Sequence, residues 1–344
     1  MSSWSSSSIR AILLVMLVFT FALLTMKYLY TNQNNYDHLV KALSSKYPDV
    51  GLPSPRGPTI LDSNLKAEVV FRGLRYPTSM AFLGHNDILV DEKDTGTVRR
   101  IVDGTELQEP LIALNVATNA HRGLLGIAVV PLRSVGPLLN YGNVSSNNNT
   151  TAYVFLYYTQ AQRNTGDDIT EGKQPLSNRL YRYDIDQTEK QHIAPVHPND
   201  LVHFAGKGKY HQPQFTWFRK VVPTGITFLN SSKIGNLYKD DMFVADAKNG
   251  NLYHFKLDAQ RTGLLLPHGP LADGIVNSSD ALDPIVFGKG FGGITDVKVN
   301  PYDGYLYVLT FNGMIYSIVP LHNYLNDNNN ATHEDNLFLN MAQN

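Results

Sequence analysis

From Leu65 onward the chain carries short apolar runs that alternate with polar positions and are divided by Gly, Asn, Asp and Pro. Alternation with a period of two, bounded by turn residues, predicts strands. The expected strands in the first part of the chain are Thr78 to Leu83, Asp87 to Val90, Val98 to Val102, Gly126 to Val130, Tyr153 to Thr159 and Arg179 to Ile185. Later ones are Gly225 to Leu229, Met242 to Ala245, Leu252 to Leu257, Asp296 to Val299, Leu306 to Thr310 and Met314 to Val319. No stretch of comparable quality has the 3.6-residue period of a helix, so the pattern predicts an all-β fold.

The runs repeat. Pro77-Thr78-Ser79-Met80-Ala81-Phe82-Leu83 leads to Asp87-Ile88-Leu89-Val90 and then to Gly96-Thr97-Val98-Arg99-Arg100-Ile101. The same order recurs in Pro223-Thr224-Gly225-Ile226-Thr227-Phe228-Leu229, Met242 to Asp246, and Gly250 to Phe255. It returns in Ile294 to Val299, Asp303 to Val308 and Gly313 to Ile318, and more loosely in Gly123 to Ala128, Tyr153 to Tyr158 and Asn178 to Tyr183. Each unit is a β-meander that cannot bury both faces alone, and stacking such units around an axis buries them, which is the logic of a β-propeller. A β-sandwich is the competing arrangement, but it would not require the same turn residues at matching offsets.

The ends differ from this middle. Ala11 to Met26 is an uncharged apolar run that Ile9, Leu29 and a snorkelling Lys27 extend toward the roughly 20 residues a membrane span needs. It lacks the small-residue site of a cleaved signal, so residues 1–30 are expected to form an uncleaved anchor, with the rest of the chain outside the cytoplasm. Residues 31–62 are polar and rich in proline near Pro53, Pro55 and Pro58, as in a linker. Residues 63–320 are the expected propeller, and 321–344 a polar tail. Six N-x-[ST] triplets, at Asn143, Asn148, Asn149, Asn230, Asn277 and Asn330, all follow the anchor and agree with a glycosylated, exported domain.

Composition removes several kinds of chemistry. With 29 Lys and Arg against 30 Asp and Glu, the net charge of -1 gives no field for nucleic acid. With no cysteine there is neither disulfide nor thiolate, so any chemistry falls to His, carboxylates, hydroxyls, Lys or a cofactor. His192, His197, His203 and His211 match no common zinc spacing. Gly288 to Gly293 lacks the Lys-Ser/Thr ending of a phosphate-binding loop and reads as the inner turn of a blade. The neighbouring carboxylates Asp91 and Glu92, Asp167 and Asp168, and Asp240 and Asp241 are expected at turns or solvated edges.

Three segments carry a resemblance. Gly73-Leu74 to Ile101, Arg122-Gly123-Leu124-Leu125-Gly126-Ile127-Ala128, and Pro223-Thr224-Gly225 through Asp303-Gly304 together resemble the glucose/sorbosone dehydrogenase family of soluble quinoproteins. The resemblance implies a β-propeller that holds pyrroloquinoline quinone (PQQ) with a calcium ion and oxidises a sugar by hydride transfer. Only about four blades are recognisable, and the family's catalytic His, its Arg-Asn segment and its calcium segment are not found. By position, the resemblance makes His121 a candidate base and Lys248 and Arg122 candidate cofactor contacts. Their plainer readings are a surface-loop histidine, a solvated turn lysine and an arginine tying one blade to the next. Two functions stay open: a quinone-dependent sugar dehydrogenase with a reduced site, and a non-catalytic propeller binding a glycan or a protein. A calcium-dependent lactonase-type propeller is disfavoured for want of a ring of inward carboxylates. With blades missing, open edges could also drive oligomerisation.

Overall fold

The computed structural model describes residues 48, 50–119, 121–131, 150–161, 177–186, 191–195, 214–217, 220–269, 271–276 and 280–321. The apolar span 11–26 and the tail from 322 lie outside them, and among the described residues no helix is long and apolar enough to cross a membrane.

Within the unit that begins at Val50, the meanders form four antiparallel sheets. The first blade joins Pro77–Gly84, Asp87–Glu92 and Thr97–Val102, with Thr105–Glu106 and Ile112–Ala113 both pairing the last of these. The second joins Leu124–Pro131, Thr150–Gln160, Ser177–Asp186 and Gln191–Pro195. The third joins Pro223–Phe228, Met242–Asp246, Leu252–Leu257 and Val286–Lys289, and the fourth Ile294–Val299, Leu306–Thr310 and Met314–Pro320. The early strand Leu65–Arg72 completes the fourth blade by pairing with Met314–Pro320, so the two ends of the propeller meet in one sheet.

Alternation along the strands decides what each face covers, because neighbouring residues point to opposite sides. Ile88 and Val90 pack with Tyr307, Leu309 and Ile315 of the fourth blade. Leu89 between them packs with Leu124, Val154 and Leu156 of the second. Phe243, Leu252 and Phe287 of the third blade pack with Val297, Val308 and Ile318 of the fourth. The blades therefore stack in the order third, fourth, first, second, which is a propeller and not a two-layer sandwich.

The repeats carry matching devices at matching offsets. Each innermost strand has a β-bulge at its start, between Pro77 and Ser79, Leu124 and Gly126, Pro223 and Gly225, and Ile294 and Asp296. The hairpin turn after the second strand needs a left-handed residue in three blades, and Gly96, Gly250 and Gly313 supply it at φ of 68°, 65° and 88°. The Pro-Thr pair also has a role. Thr78 donates to the carbonyl of Leu124 at 2.8 Å, and Thr224 to that of Ile294 at 2.6 Å, each reaching the innermost strand of the next blade.

Among the described residues, no further blade lies between the third and the second. Met80 and Phe82, on the innermost strand of the first blade, are 0% and 7% exposed under the fourth blade, whereas their repeat equivalents Ile226 and Phe228 on the third are 62% and 51% exposed. The far face of the second blade likewise leaves Tyr157 and its cross-strand partner Leu180 exposed. Further out on that same face of the third blade, a parallel ribbon of Thr216–Trp217 and Ile275–Val276 covers the third strand, where Trp217 and Val276 pack on Tyr253 and Phe255.

From Gly51 on, the segment read as a linker is bonded to the third blade. Gly51 donates to Ala247 at 2.7 Å and accepts from Gly293 at 2.8 Å, Ser54 donates to Gly290 at 2.9 Å, and Thr59–Ile60 adds an outer strand beside Val286–Lys289. Gly288 to Gly293, expected as an inner turn, is instead the crossing from the outer part of the third blade to the innermost strand of the fourth.

Candidate functional site

The three residues singled out by the resemblance lie at one end of the blades, because the start of each innermost strand pairs with the end of the second. His121 and Arg122 precede Leu124–Pro131 of the second blade, and Lys248 follows Met242–Asp246 of the third. His121 is exposed, and Arg122 and Lys248 are half-buried. They stand on the second and third blades, between which no further blade lies among the described residues. The joint beside Arg122 is made by backbone: Leu124 donates to Lys93 of the first blade at 3.0 Å, and Thr159 donates to Gly123 at 2.9 Å. A Cβ on Gly123 would fall 2.4 Å from the Lys93 carbonyl oxygen, so only glycine allows this approach.

The Lys248 turn is organised by a carboxylate. Asp246 Oδ1 accepts from the backbone N–H of Val222 at 3.0 Å and of Lys248 at 2.8 Å, while its Oδ2 accepts from Asn249 at 2.6 Å and from the Tyr253 hydroxyl at 3.2 Å. Those four donors commit both oxygens to the turn. Glu92 does the same at the equivalent place in the first blade, accepting from the Arg75 N–H and from the Thr95 and Thr97 hydroxyls. The chain's own Val50 to Pro53 lies against this turn, and a Cβ on Gly51 would come within 2.7 Å of the Lys248 carbonyl oxygen. Beside the Lys248 turn the strap already bonds the Ala247 carbonyl and the Gly293 N–H, so those two backbone groups are engaged within the chain. Among the described residues no three His, Asp or Glu side chains are placed to hold a metal ion. His192 lies in a described strand, whereas His197, His203 and His211 fall outside the described residues.

A polar cluster that the sequence did not reveal sits between the first and fourth blades. Asp91 and Glu92, expected at a turn or solvated edge, are buried. Asp91 Oδ1 accepts from the Ser79 N–H and, at 3.1 Å, from the Thr78 hydroxyl, while its Oδ2 has no partner among the described residues. Asp296 Oδ2 accepts from the Ser79 hydroxyl at 2.9 Å, the Met80 N–H at 3.0 Å and Lys298 at 3.0 Å. Lys298 also donates to the Met80 carbonyl. Burial pushes the Asp91 carboxyl up to about 7, and the nearby Asp296 adds to the rise against lowering by the Ser79 and Thr78 bonds and Lys298. Asp91 therefore keeps its proton to far higher pH than an ordinary carboxyl, beside the Asp296–Lys298 ion pair. Its full burial keeps it from any substrate, so its place is in the seam between blades. No short-range motif announces it, because Ser79 and Asp296 are 217 residues apart.

No family model matches the sequence, and no curated protein matches it. Among solved structures the chain is similar to a glucose dehydrogenase at 12% identity and a TM-score of 0.46, over 74% of this chain and 99% of that one. It is similar to the PQQ-bound aldose sugar dehydrogenase of Streptomyces coelicolor at 14% identity and a TM-score of 0.44, over 78% and 99%. The soluble aldose sugar dehydrogenase of Escherichia coli, in its apo form, matches at 14% identity and a TM-score of 0.39, over 75% and 100%.

Proposed function

We propose that this chain is a propeller of the quinoprotein sugar-dehydrogenase kind that binds a glycan without oxidising it, held outside the cytoplasm by an N-terminal anchor. The observation that carries the reading is the strap: Gly51 takes the Ala247 carbonyl and the Gly293 N–H at the turn where a quinone contact through Lys248 is expected. A fold can keep its blades while its site changes, so function has to be argued from the residues that remain. The sugar-dehydrogenase reading keeps one supporting observation, that His121, Arg122 and Lys248 stand at the same end of the blades. Dye-linked oxidation separates the two. Purified chain supplied with PQQ and calcium is expected to reduce no dye over a broad aldose panel, and sugar-dependent reduction that disappears in His121→Ala would establish the dehydrogenase instead.

A further inference from the structure

Every seam between stacked blades is built from the same positions. The fourth residue of each innermost strand points to the blade before it: Met80, Ile127 and Val297 are 0%, 5% and 1% exposed there, whereas Ile226 is 62% exposed. An apolar residue early in each third strand points to the blade after it. Val98, Leu252 and Ile315 are each 0% exposed, whereas Leu180, at the same register against its second strand, is 39% exposed. Among the described residues, the three seams thus leave over one receiving face, on the third blade, and one covering face, on the second.

The repeat also matches these two faces to each other. Where the fourth blade meets the first, Phe82 touches Tyr307 edge to face with ring centroids 5.1 Å apart, beside Leu309 and Ile315. By strand register Phe228 stands in the place of Phe82, while Phe155, Tyr157 and Leu180 stand in those of Tyr307, Leu309 and Ile315. The ribbon at Trp217 takes the outer part of the receiving face, so the strip left for a partner is Ile226 and Phe228, bordered by Met242. Contiguous apolar surface of this kind marks an association site. Within one chain neither face fills the other, since both are exposed. A second copy offers the mate of each.

We propose that two copies join through these faces, the second blade of each covering the third blade of the other, so that two four-blade stacks close into one ring. The seam between copies would continue the one already formed where the fourth blade meets the first. Eight blades lie within the range at which propellers close, and a contact between unlike faces closes with two members when they are related by a half turn. Rotation about the ring axis keeps the strap at Gly51 of both copies at the same end, so two anchored copies can meet in one membrane.

The chain has no cysteine, so introduced thiols are unique. Full-length chain in density-matched detergent should sediment as a dimer. Copies carrying Phe155→Cys mixed with copies carrying Phe228→Cys should be joined by a short bismaleimide, and neither variant alone should be joined to itself. Ile226→Asp places an unpaired charge in the contact and should raise the dimer dissociation constant about a hundredfold or more. It should leave the melting temperature of the dilute chain unchanged, because the residue is exposed in the single copy. A monomer at micromolar concentration overturns the proposal; if Ile226→Asp then lowers the melting temperature, a segment of the same chain such as 196–213 is the occupant instead. Self-linking of Phe155→Cys overturns it in favour of contact through another surface. Open-ended oligomers larger than the dimer overturn it as well, because the half turn then fails to close the ring.

Discussion

Replacing Asp91 by Asn should change how stability depends on pH. In the folded chain the carboxyl titrates at about 7, against 3.8 ordinarily. A raised folded value means that the native state binds the proton more tightly than the unfolded one. The stabilising contribution is therefore complete below pH 3.8 and is lost progressively as pH rises toward 7, after which it is level. At about 1.4 kcal/mol per pH unit, the whole loss is about 4 kcal/mol, of which about 2–3 kcal/mol falls between pH 5 and pH 8. Asn keeps an acceptor for the Ser79 N–H and the Thr78 hydroxyl but has no proton to lose. Urea unfolding followed by circular dichroism at intervals across that range gives the difference between the two proteins. His254 acts with the opposite sign, since burial lowers its pKa and its contribution is lost as pH falls, but it is common to both proteins and cancels. The variant should gain about 2–3 kcal/mol on the native chain from pH 5 to pH 8. Parallel stability curves would refute both the burial of Asp91 and the seam built around it.

Three further outcomes follow from the repeats and the ends. Met80→Ala should cost about 2–5 kcal/mol in urea unfolding of the dilute, monomeric chain and Ile226→Ala under about 1 kcal/mol, although the two occupy one position in the first and third units; equal losses would mean that the third blade is covered as the first is. Gly313→Ala should destabilise by about 2 kcal/mol or more, because φ there is 88° and the new Cβ would lie 2.2 Å from the Leu74 carbonyl oxygen; an unchanged melting temperature would contradict the turn. Asn230 is exposed, so expression in a glycosylating host should give a glycosidase-sensitive mass that Asn230→Gln lowers, and no change in mass would weigh against export.

The repeats were legible because each blade reuses the same chemistry. Gly96, Gly250 and Gly313 mark left-handed turns, and the Pro-Thr pairs mark strands whose threonines reach the next blade. Pairing between distant segments was not legible. Nothing local in Leu65–Arg72 tells it to finish a sheet with Met314–Pro320, since its alternation would suit any outer strand. The strap at Gly51 escaped notice for a related reason, as a polar, proline-containing segment reads alike whether free or bonded through its backbone. Side-chain partners brought together across the fold were also invisible. Asp241 and His254 meet only because a hairpin places Phe243 opposite His254, and the adjacent pairs Asp91 with Glu92 and Asp240 with Asp241 read as solvated until the stacked blades buried part of them.

Spectroscopic titration of the purified, full-length chain with PQQ in the presence of calcium addresses the central claim directly. With the strap bonded to the Ala247 carbonyl, the absorbance of the quinone should change only in proportion to its concentration, with no stoichiometric end point. A saturable site at one quinone per chain, bleached on addition of an aldose, would contradict the claim and restore hydride transfer to this propeller.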